Sequence, residues 1–268
     1  MQLSGKIILA ILGWTLTVVT CFAQTTSQTG PDEKGLWTIW QSQTNTPVDH
    51  AAIIEACKEF NAKSPNDPLI TVIQGLEAWN LLKIGKTNEA VKIFEPMIAL
   101  TDNPLQKAGS DMACAWLSRL DREQVVAALK KYYFKEIEFP VALSSLKTVK
   151  GLTLPPLMDR WGQGWFYQAE ERLKMARQGY TLQSKRLGTD SDMTKALEIP
   201  YGDRINLMPV RLMSISSDKV TIEFLLPTQK SIYLQAGTAS EGIVVACVGA
   251  KILVLSDGNH WRIVAKPH

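Results

Sequence analysis

The segment DRWGQGWFY, residues 159–167, combines aromatic residues and two glycines within nine positions. It lacks both the Gly-x-Gly-x-x-Gly spacing and the lysine followed by Ser or Thr that phosphate-binding loops require. A platform that stacks a sugar or a base remains open, and so does a structural turn. The turn is favoured, because Gly162 and Gly164 can reverse the chain. Trp165 and Tyr167 would then alternate onto one face of a following strand.

The same segment resembles the Asp-Pro-Trp-Gly-Asn-Pro-Tyr-x-Tyr segment of the major pseudopilin of type II secretion systems. Two further segments, ALKKYYFKEIEFP before it and YTLQSKRLGTDSD after it, are similar to patterns of that family in the same order. The resemblance covers residues 121–193 and lacks the prepilin N-terminal helix. It implies a pseudopilin-head-like α+β domain over residues 121–198. The residues taken as the structural family motif are Asp159, Trp161, Gly162, Trp165 and Tyr167.

The resemblance also implies a calcium site, because in the family the loop after the last motif binds Ca²⁺ through a backbone carbonyl and aspartates. The matching positions are Leu187, Asp190 and Asp192. Oxygen ligands suit this hard cation, but Ca²⁺ takes about six to eight of them, and Lys185 and Arg186 place positive charge beside the loop. A solvated acidic turn is the alternative. Calcium is the one cofactor that the sequence suggests.

Residues 47–120 carry apolar residues at intervals of three and four, which predicts helices. The stretch LEAWNLLKIGKTNEAVKIFEPM, residues 76–97, resembles a tetratricopeptide repeat, with Gly85 in the turn between two helices. Two alanine–phenylalanine pairs recur at the 34-residue period of such repeats: Ala56 with Phe60, and Ala90 with Phe94. We therefore predict a short tetratricopeptide-like helical domain over residues 47–120. It would serve either to dock a protein or as a scaffold.

A further helix is predicted to begin at Asp121, because this aspartate and Gln124 have the spacing of a capping box. It is expected to stop before Pro140.

After Ile199 the pattern changes to short apolar, β-branched runs separated by turn signals such as Asp257-Gly258-Asn259. The six predicted strands are LMPVRLMSI, KVTIEFLL, SIYLQ, IVVACV, KILVL and WRIV. Residues 199–268 are expected to form a small all-β barrel or sandwich. The fold class is thus α+β in several parts, with helices first, the head-like domain second and the β-domain last.

The first 23 residues are typical of a secretory signal peptide, with one positive charge at Lys6 and then a long apolar run. Cleavage before Gln24 is expected, and retention as a membrane anchor is the alternative. Residues 24–46 are predicted to be a linker. The protein is expected to be exported to the periplasm or cell envelope and to be peripheral to the membrane at most.

The charge balance gives no indication of a nucleic-acid partner, since removing Lys6 from 29 basic residues leaves 28 against 26 acidic ones. The cysteines that remain after processing are Cys57, Cys114 and Cys247. An odd number does not indicate a disulfide framework, and we expect small buried hydrophobes. If two of them pair, Cys57 with Cys114 is the expected couple.

The three histidines do not form a catalytic constellation with the residues around them. His260 follows a turn and is predicted to lie at an exposed hairpin tip. His50 lies near a helix start where Asp49 is a plausible cap, and His268 is the last residue. A non-enzymatic protein is therefore expected.

The expected function is protein–protein association at the cell envelope. The pseudopilin resemblance implies secretion or pilus components as partners, with this chain as an accessory of a type II secretion or pilus-like system. The alternative is a periplasmic binding module for a glycan or peptide, which would use an aromatic surface formed by Trp161, Trp165 and Tyr167.

Overall fold

The computed structural model describes residues 30–148, 150–151, 153–172, 176–188, 192–199, 210–215, 219–224, 230–240 and 242–265. Within them, a helical N-terminal part is followed by antiparallel sheets, so the chain is mixed α and β. The signal peptide predicted over residues 1–23 lies outside these ranges. No helix in the described ranges is both long enough and apolar enough to span a bilayer.

The helical part is built around one buried helix. The described helices are α1 (Glu33–Gln43), α2 (His50–Lys63), α3 (Ile70–Lys83), α4 (Thr87–Met97), α5 (Pro104–Glu136) and α6 (Met193–Glu198), with a 3₁₀ helix at Leu143–Thr148. Helix α3 contacts α2, α4 and α5. It is buried over most of its length, which explains why its sequence is apolar on nearly every side.

The turn between α3 and α4 agrees with its prediction from the sequence. Gly85 has a φ of 76°, a conformation that side chains resist. Ala90 and Phe94, on the following helix, are fully buried. The small residue allows close approach of the neighbouring helix and the phenylalanine fills the space beside it.

Helix α1 occupies part of the segment 24–46 that was predicted to be a linker. Leu36 and Trp40 are buried in the main core, so this part of the segment is packed structure. Glu33 is also buried, and its two carboxylate oxygens accept the backbone N–H groups of residues 250 and 251 at 2.6 Å each. These bonds attach the start of the helical part to a turn of the β-structure, a contact that local sequence patterns do not reveal.

The helix start predicted at Asp121 is wrong, because α5 begins at Pro104. The Asn103 side chain caps the helix by accepting the Gln106 backbone N–H at 3.0 Å. Proline is favoured at the first helical position, where its missing N–H would have no partner anyway. Asp121 lies in the middle of the helix and is buried because Arg160 donates two hydrogen bonds to it. Helix α5 therefore crosses the predicted domain boundary at residue 120.

The described strands form three antiparallel sheets. The strands are β1 (Phe166–Arg172), β2 (Ala176–Gln183), β3 (Val210–Ile215), β4 (Lys219–Phe224), β5 (Lys230–Gln235), β6 (Ala239–Ser240), β7 (Ile243–Val248), β8 (Ile252–Ser256) and β9 (Trp261–Ala265). Their orders are β1-β2, β3-β4-β5 and β6-β7-β8-β9. The six strands predicted after Ile199 are confirmed as β3, β4, β5, β7, β8 and β9, and β6 is a short additional strand.

The four-stranded sheet is buried on both faces, as the full burial of β8 shows. Leu253 and Leu255 pack with Val220 and Leu234 of the three-stranded sheet. On the other face, Val254 and Trp261 belong to the same core as the helices. The helical part and this sheet therefore share one core, and residues Pro31–His268 form one compact unit.

Two helix glycines allow close packing around Trp261 in that shared core. A Cβ atom at Gly75 of α3 would lie 2.4 Å from Trp261 Nε1. A Cβ at Gly109 of α5 would lie 2.3 Å from Thr71 Cγ2 and 3.7 Å from the Trp261 ring. Both distances to the nearest atoms are far inside van der Waals contact, so any side chain at either glycine would push the elements apart.

Candidate ligand cleft

The DRWGQGWFY segment forms the turn that its glycines predict. The Asp159 N–H donates to the Gln163 carbonyl at 2.8 Å, and Gly162 has a φ of 76°. Met158 and Gly164 pair across the turn as an isolated β-bridge. Strand β1 starts two residues after this bridge, so the segment reverses the chain and then enters a sheet.

Asp159 holds the turn and the loop after β2 together. Its buried carboxylate accepts the backbone N–H groups of Trp161 at 3.1 Å and Gln163 at 2.9 Å. It also accepts the Ser184 hydroxyl at 2.8 Å. Asp159 and Ser184 come from two separate segments of the pseudopilin resemblance, and the structure places them in contact.

Trp165 and Tyr167 lie in a local core, as the turn prediction requires, with Phe166 between them exposed. The Trp165 indole N–H donates to the Pro156 carbonyl at 2.9 Å, and the Tyr167 hydroxyl donates to the Pro140 carbonyl at 2.7 Å. Burial raises the pKa of Tyr167 to about 12. Both rings are therefore structural, and Trp161 alone remains available from the predicted aromatic surface.

Trp161 lines a cavity of about 330 Å³, which we call the Trp161 cleft. Its walls come from α5, the DRWGQGWFY turn, the loop after β2, Gly242 before β7 and the β8–β9 hairpin. The polar and aromatic side chains of the wall are Asp111, Arg119, Trp161, Arg186, Asp257 and Asn259. The cleft thus brings together residues that are far apart in the sequence.

At the outer side of the cleft, Asp111 orients both Trp161 and Arg186. Its Oδ1 atom accepts the Trp161 indole N–H at 3.1 Å and Arg186 Nη1 at 3.2 Å. The Arg186 guanidinium lies 5.0 Å from the centre of the Trp161 ring. Since the Arg186 and Asp111 side chains are about half exposed, these contacts stabilise the fold little and mainly set the position of the guanidinium.

At the inner side, Arg119 is 1% exposed and stacks on Trp116, with its guanidinium carbon 4.8 Å from the ring centre. Its Nη2 atom donates to Asn259 Oδ1 at 2.8 Å. The Trp116 indole N–H donates to the Asn259 carbonyl, also at 2.8 Å. Helix α5 therefore holds the β8–β9 hairpin at the base of the cleft.

The prediction that His260 lies at an exposed hairpin tip is wrong, because the residue is only 3% exposed. Its ring packs edge-on against Trp79 and Trp116. Asp257 Oδ1 accepts the backbone N–H groups of Asn259 and His260 at 2.8 Å each, which tightens the hairpin. The hairpin closes inward against the helices, so its polar residues become part of the core and of the cleft wall.

The pKa of Asp257 lies below its usual range. Burial opposes ionisation, but the hydrogen bond and charge of His260, 3.5 Å away, and the two backbone N–H groups outweigh it.

We expect this shift to appear in the pH dependence of stability. A carboxyl whose pKa is lower in the folded state contributes its full stabilisation above its unfolded pKa, about 3.9. That stabilisation is lost as the pH falls through the folded pKa. Asp257→Asn should therefore destabilise at pH 7, and the difference from the wild type should shrink below about pH 4. Urea unfolding across this pH range measures it. Asp102→Asn, at an exposed site, is the control, and a difference that does not change with pH would contradict the expectation.

The residues predicted to bind calcium are not assembled in the described part of the chain. Leu187 lines the Trp161 cleft, and the Asp192 side chain caps α6 by accepting the Lys195 backbone N–H at 3.2 Å. Asp190 lies outside the described residues. Among the described residues, no group of three or more His, Cys, Asp and Glu side chains could hold a metal. The calcium site stays a prediction.

The three described cysteines are free thiols, so the pairing of Cys57 with Cys114 is not formed. Cys57 and Cys114 are buried, as expected, and Cys247 is partly buried. Burial raises the pKa of Cys114 to about 11, which disfavours the thiolate that a nucleophile needs.

His50 occupies a structural position at the start of α2. The predicted cap at Asp49 is confirmed, since its side chain accepts the Ala52 backbone N–H at 3.0 Å. His50 Nδ1 lies 2.7 Å from Asn80 Oδ1. His268 lies outside the described residues.

Sequence reasoning did not identify Asp111, Arg119 or Asn259 as site residues, and it treated Arg186 only as a charge unfavourable to calcium. One signal was available: Asp111, Ala115 and Arg119 recur at four-residue intervals and so share a face of α5. That signal appears only once the region is taken as one continuous helix. No pattern in the sequence connects this face with the β8–β9 hairpin.

Comparison of the chain with protein-family models, curated proteins and solved structures finds no significant match. The likeness to pseudopilin heads and to tetratricopeptide repeats therefore stays a prediction.

Proposed function

We propose that this chain is a non-enzymatic exported protein that associates with another protein of the cell envelope through the end of helix α5. The observation that carries the proposal is the state of Ile137, which is 66% exposed and has a φ of 62°. Glycine or asparagine usually occupies this left-handed position after a helix, because a β-branched side chain is strained there. Backbone strain at an exposed apolar residue is typical of functional surfaces.

Ile137 has apolar neighbours along the chain that are also exposed. We define the α5-end surface as Phe134, Ile137 and Val141, with exposed fractions of 80%, 66% and 69%. Large apolar side chains exposed together are typical of protein interaction sites. None of the three contributes to the cores of the described residues, so their apolar character serves no packing role there.

The backbone around Ile137 is fixed to strand β2. The Phe139 N–H donates to the Arg177 carbonyl at 2.9 Å, and Arg177 Nε donates back to the Phe139 carbonyl at 2.8 Å. Gln178 Nε2 donates to the Ile137 carbonyl at 3.2 Å. A surface that is already ordered loses less conformational entropy on binding, which supports a role in association.

The family likenesses support a choice of partner. The resemblance of residues 121–193 to a pseudopilin head favours a secretin or pseudopilin subunit, with this chain as an accessory of a type II secretion or pilus-like system. The tetratricopeptide-like pattern of residues 47–120 favours a docking role for the helical part. The small all-β domain over residues 199–268 completes the proposed organisation. Export to the periplasm rests on the signal-peptide pattern.

Ile137→Gly tests whether the strained residue serves binding. Glycine adopts a positive φ without strain, so the free energy of unfolding should rise by about 0.5–1 kcal/mol, while association should weaken because the side chain is lost. Urea unfolding measures the first effect. Photo-crosslinking in the native envelope, from a crosslinker placed at position 134, measures the second.

The matched control is a crosslinker at Tyr233, which is 79% exposed on β5. Recovery of a secretin or pseudopilin subunit from position 134, lost in Ile137→Gly and absent from position 233, would support the proposal. Equal recovery from both positions, or from neither, would overturn it.

A second candidate function is the binding of a glycan or peptide in the Trp161 cleft. The supporting observation is that Trp161, a partly exposed indole, lines a cavity together with two arginines and two aspartates. Cavities of about 300 Å³ and more, with a few convergent polar groups, are typical of small-ligand sites.

A further inference from the structure

We propose that the Trp161 cleft binds the carboxylate group of a small ligand, through Arg186 and Arg119. This inference names the ligand chemistry of the second candidate function and rests on it. It is independent of the α5-end surface.

Both arginines of the cleft are held in the same way. Arg119 lies against Trp116 at 4.8 Å and Arg186 against Trp161 at 5.0 Å, and both residues line one cavity. Stacking on an indole fixes the plane of a guanidinium. A planar guanidinium held in place matches the two oxygens of a carboxylate through parallel N–H···O bonds. The pair of stacked arginines is therefore suited to a carboxylate.

Protein donors already use one carboxylate oxygen of each aspartate in the cleft wall. Asp111 Oδ1 accepts from Trp161 and Arg186, and Asp257 Oδ1 accepts from two backbone N–H groups of its own hairpin. Asn259 presents Oδ1 to Arg119. A ligand with hydrogen-bond acceptors complements the arginine donors of this wall.

Arg186 is the side chain with donors to offer. A guanidinium carries five N–H groups. Within the described part of the chain, Asp111 is the one residue that accepts a hydrogen bond from Arg186. The side chain is 51% exposed, so an incoming ligand can reach its remaining N–H groups. Arg186 is thus the first contact, and Arg119 adds positive charge at the buried base of the cleft.

The size and charge of the cleft limit the ligand. A cavity of about 330 Å³ is at the small end of ligand sites and suits a peptide end or a single acidic sugar. Because two arginines and two aspartates line it, the wall has no net formal positive charge with which to compensate a doubly charged phosphate. The shared chemistry of both ligand sources is one carboxylate beside a small polar body.

Titration calorimetry on the full chain tests the proposal with two matched pairs of probes. The first pair is trialanine with a free or an amidated carboxyl end, and the second is glucuronate with glucose. The acid of at least one pair should bind about tenfold or more tightly than its neutral counterpart. The pair that shows this difference identifies the source of the carboxylate, peptide or sugar.

Arg186→Gln should weaken binding of that acid about tenfold or more, because it removes the first guanidinium. Lys185→Gln is the matched control, since it removes the same charge from the neighbouring exposed residue, which lies outside the cleft wall. Its dissociation constant should stay at the wild-type value. Urea unfolding of both variants checks that each remains folded, as expected for exposed positions.

The possible outcomes distinguish failure of the carboxylate inference from failure of the second candidate function on which it rests. Binding of the probes with no difference between acid and neutral counterpart in either pair would overturn the carboxylate inference and leave the second candidate function standing. The absence of binding by all four probes up to about 10 mM would overturn both. Equal loss in Arg186→Gln and Lys185→Gln, or tighter binding of inorganic phosphate than of either acid, would also overturn the carboxylate inference.

Discussion

Replacement of Trp261 by alanine is expected to lower the free energy of unfolding by about 4 kcal/mol, the largest effect of the substitutions considered. Trp261 is fully buried and begins strand β9. It packs against Gly75 of α3, where the absence of a side chain leaves room for its ring. Removing the ring leaves a cavity between the helices and the four-stranded sheet, and the close packing around it cannot collapse fully to fill the space.

The same variant tests whether the helices and the sheet unfold together. Because both belong to one core, helix and strand signals in circular dichroism should be lost in a single transition that moves to lower urea concentration. Tyr233→Ala removes an aromatic ring that is 79% exposed and should change the stability by less than about 0.5 kcal/mol. Two separate transitions, with the helical one unchanged in Trp261→Ala, would show instead that the parts are independent.

Arg160→Met is expected to lower the free energy of unfolding by about 3 kcal/mol. Arg160 donates to the two carboxylate oxygens of Asp121 at 2.5 and 3.0 Å, and Asp121 is 1% exposed on α5. The hydrogen bond to Asp121 also raises the pKa of Arg160. Methionine keeps much of the packing of the side chain but leaves a buried carboxylate without its partner. Leaving this carboxylate without a partner should lower the free energy of unfolding by more than an exposed ion pair contributes to it.

A double variant separates the buried charge from the packing. Asp121→Ala combined with Arg160→Met removes both charges and should be more stable than Arg160→Met alone. Lys58→Met is the matched control, since the Lys58–Glu55 pair at 2.9 Å is exposed and should be worth less than about 1 kcal/mol. Equal stability losses in Arg160→Met and Lys58→Met would show that the pairing with Asp121 is not important for the fold.

Local elements were predictable wherever neighbouring residues decide the conformation. Gly162 and Gly164 indicated a reversal, and the chain turns between Met158 and Gly164. Gly85 indicated the turn between α3 and α4, where its φ is positive. The apolar, β-branched run KVTIEFLL indicated strand β4. In each case the deciding interactions lie within a few residues, so a short stretch of sequence contains them.

Predictions failed where a residue far away in the sequence provides the hydrogen-bond partner that allows a polar residue to be buried. Asp121 has the sequence context of a cap, yet Arg160, 39 residues away, allows it to lie in a helix interior. The Asp257–His260 turn has the sequence of an exposed tip, yet Asn259 bonds to Arg119, 140 residues away. Hydrogen bonds between such distant residues can satisfy a buried polar group as fully as water satisfies an exposed one.

The candidate sites also differ in how much of them local sequence determines. The turn that presents Trp161 follows from its own residues, because the preference of glycine for turns acts over short distances. The exposure of the α5-end surface and the Trp161 cleft required the chain to fold. The walls of the cleft come from α5, two loops, Gly242 before β7 and the β8–β9 hairpin, and the two arginines line one cavity only when these parts pack together. Local sequence sets backbone conformation, whereas the positions of charges relative to one another depend on packing across the whole chain.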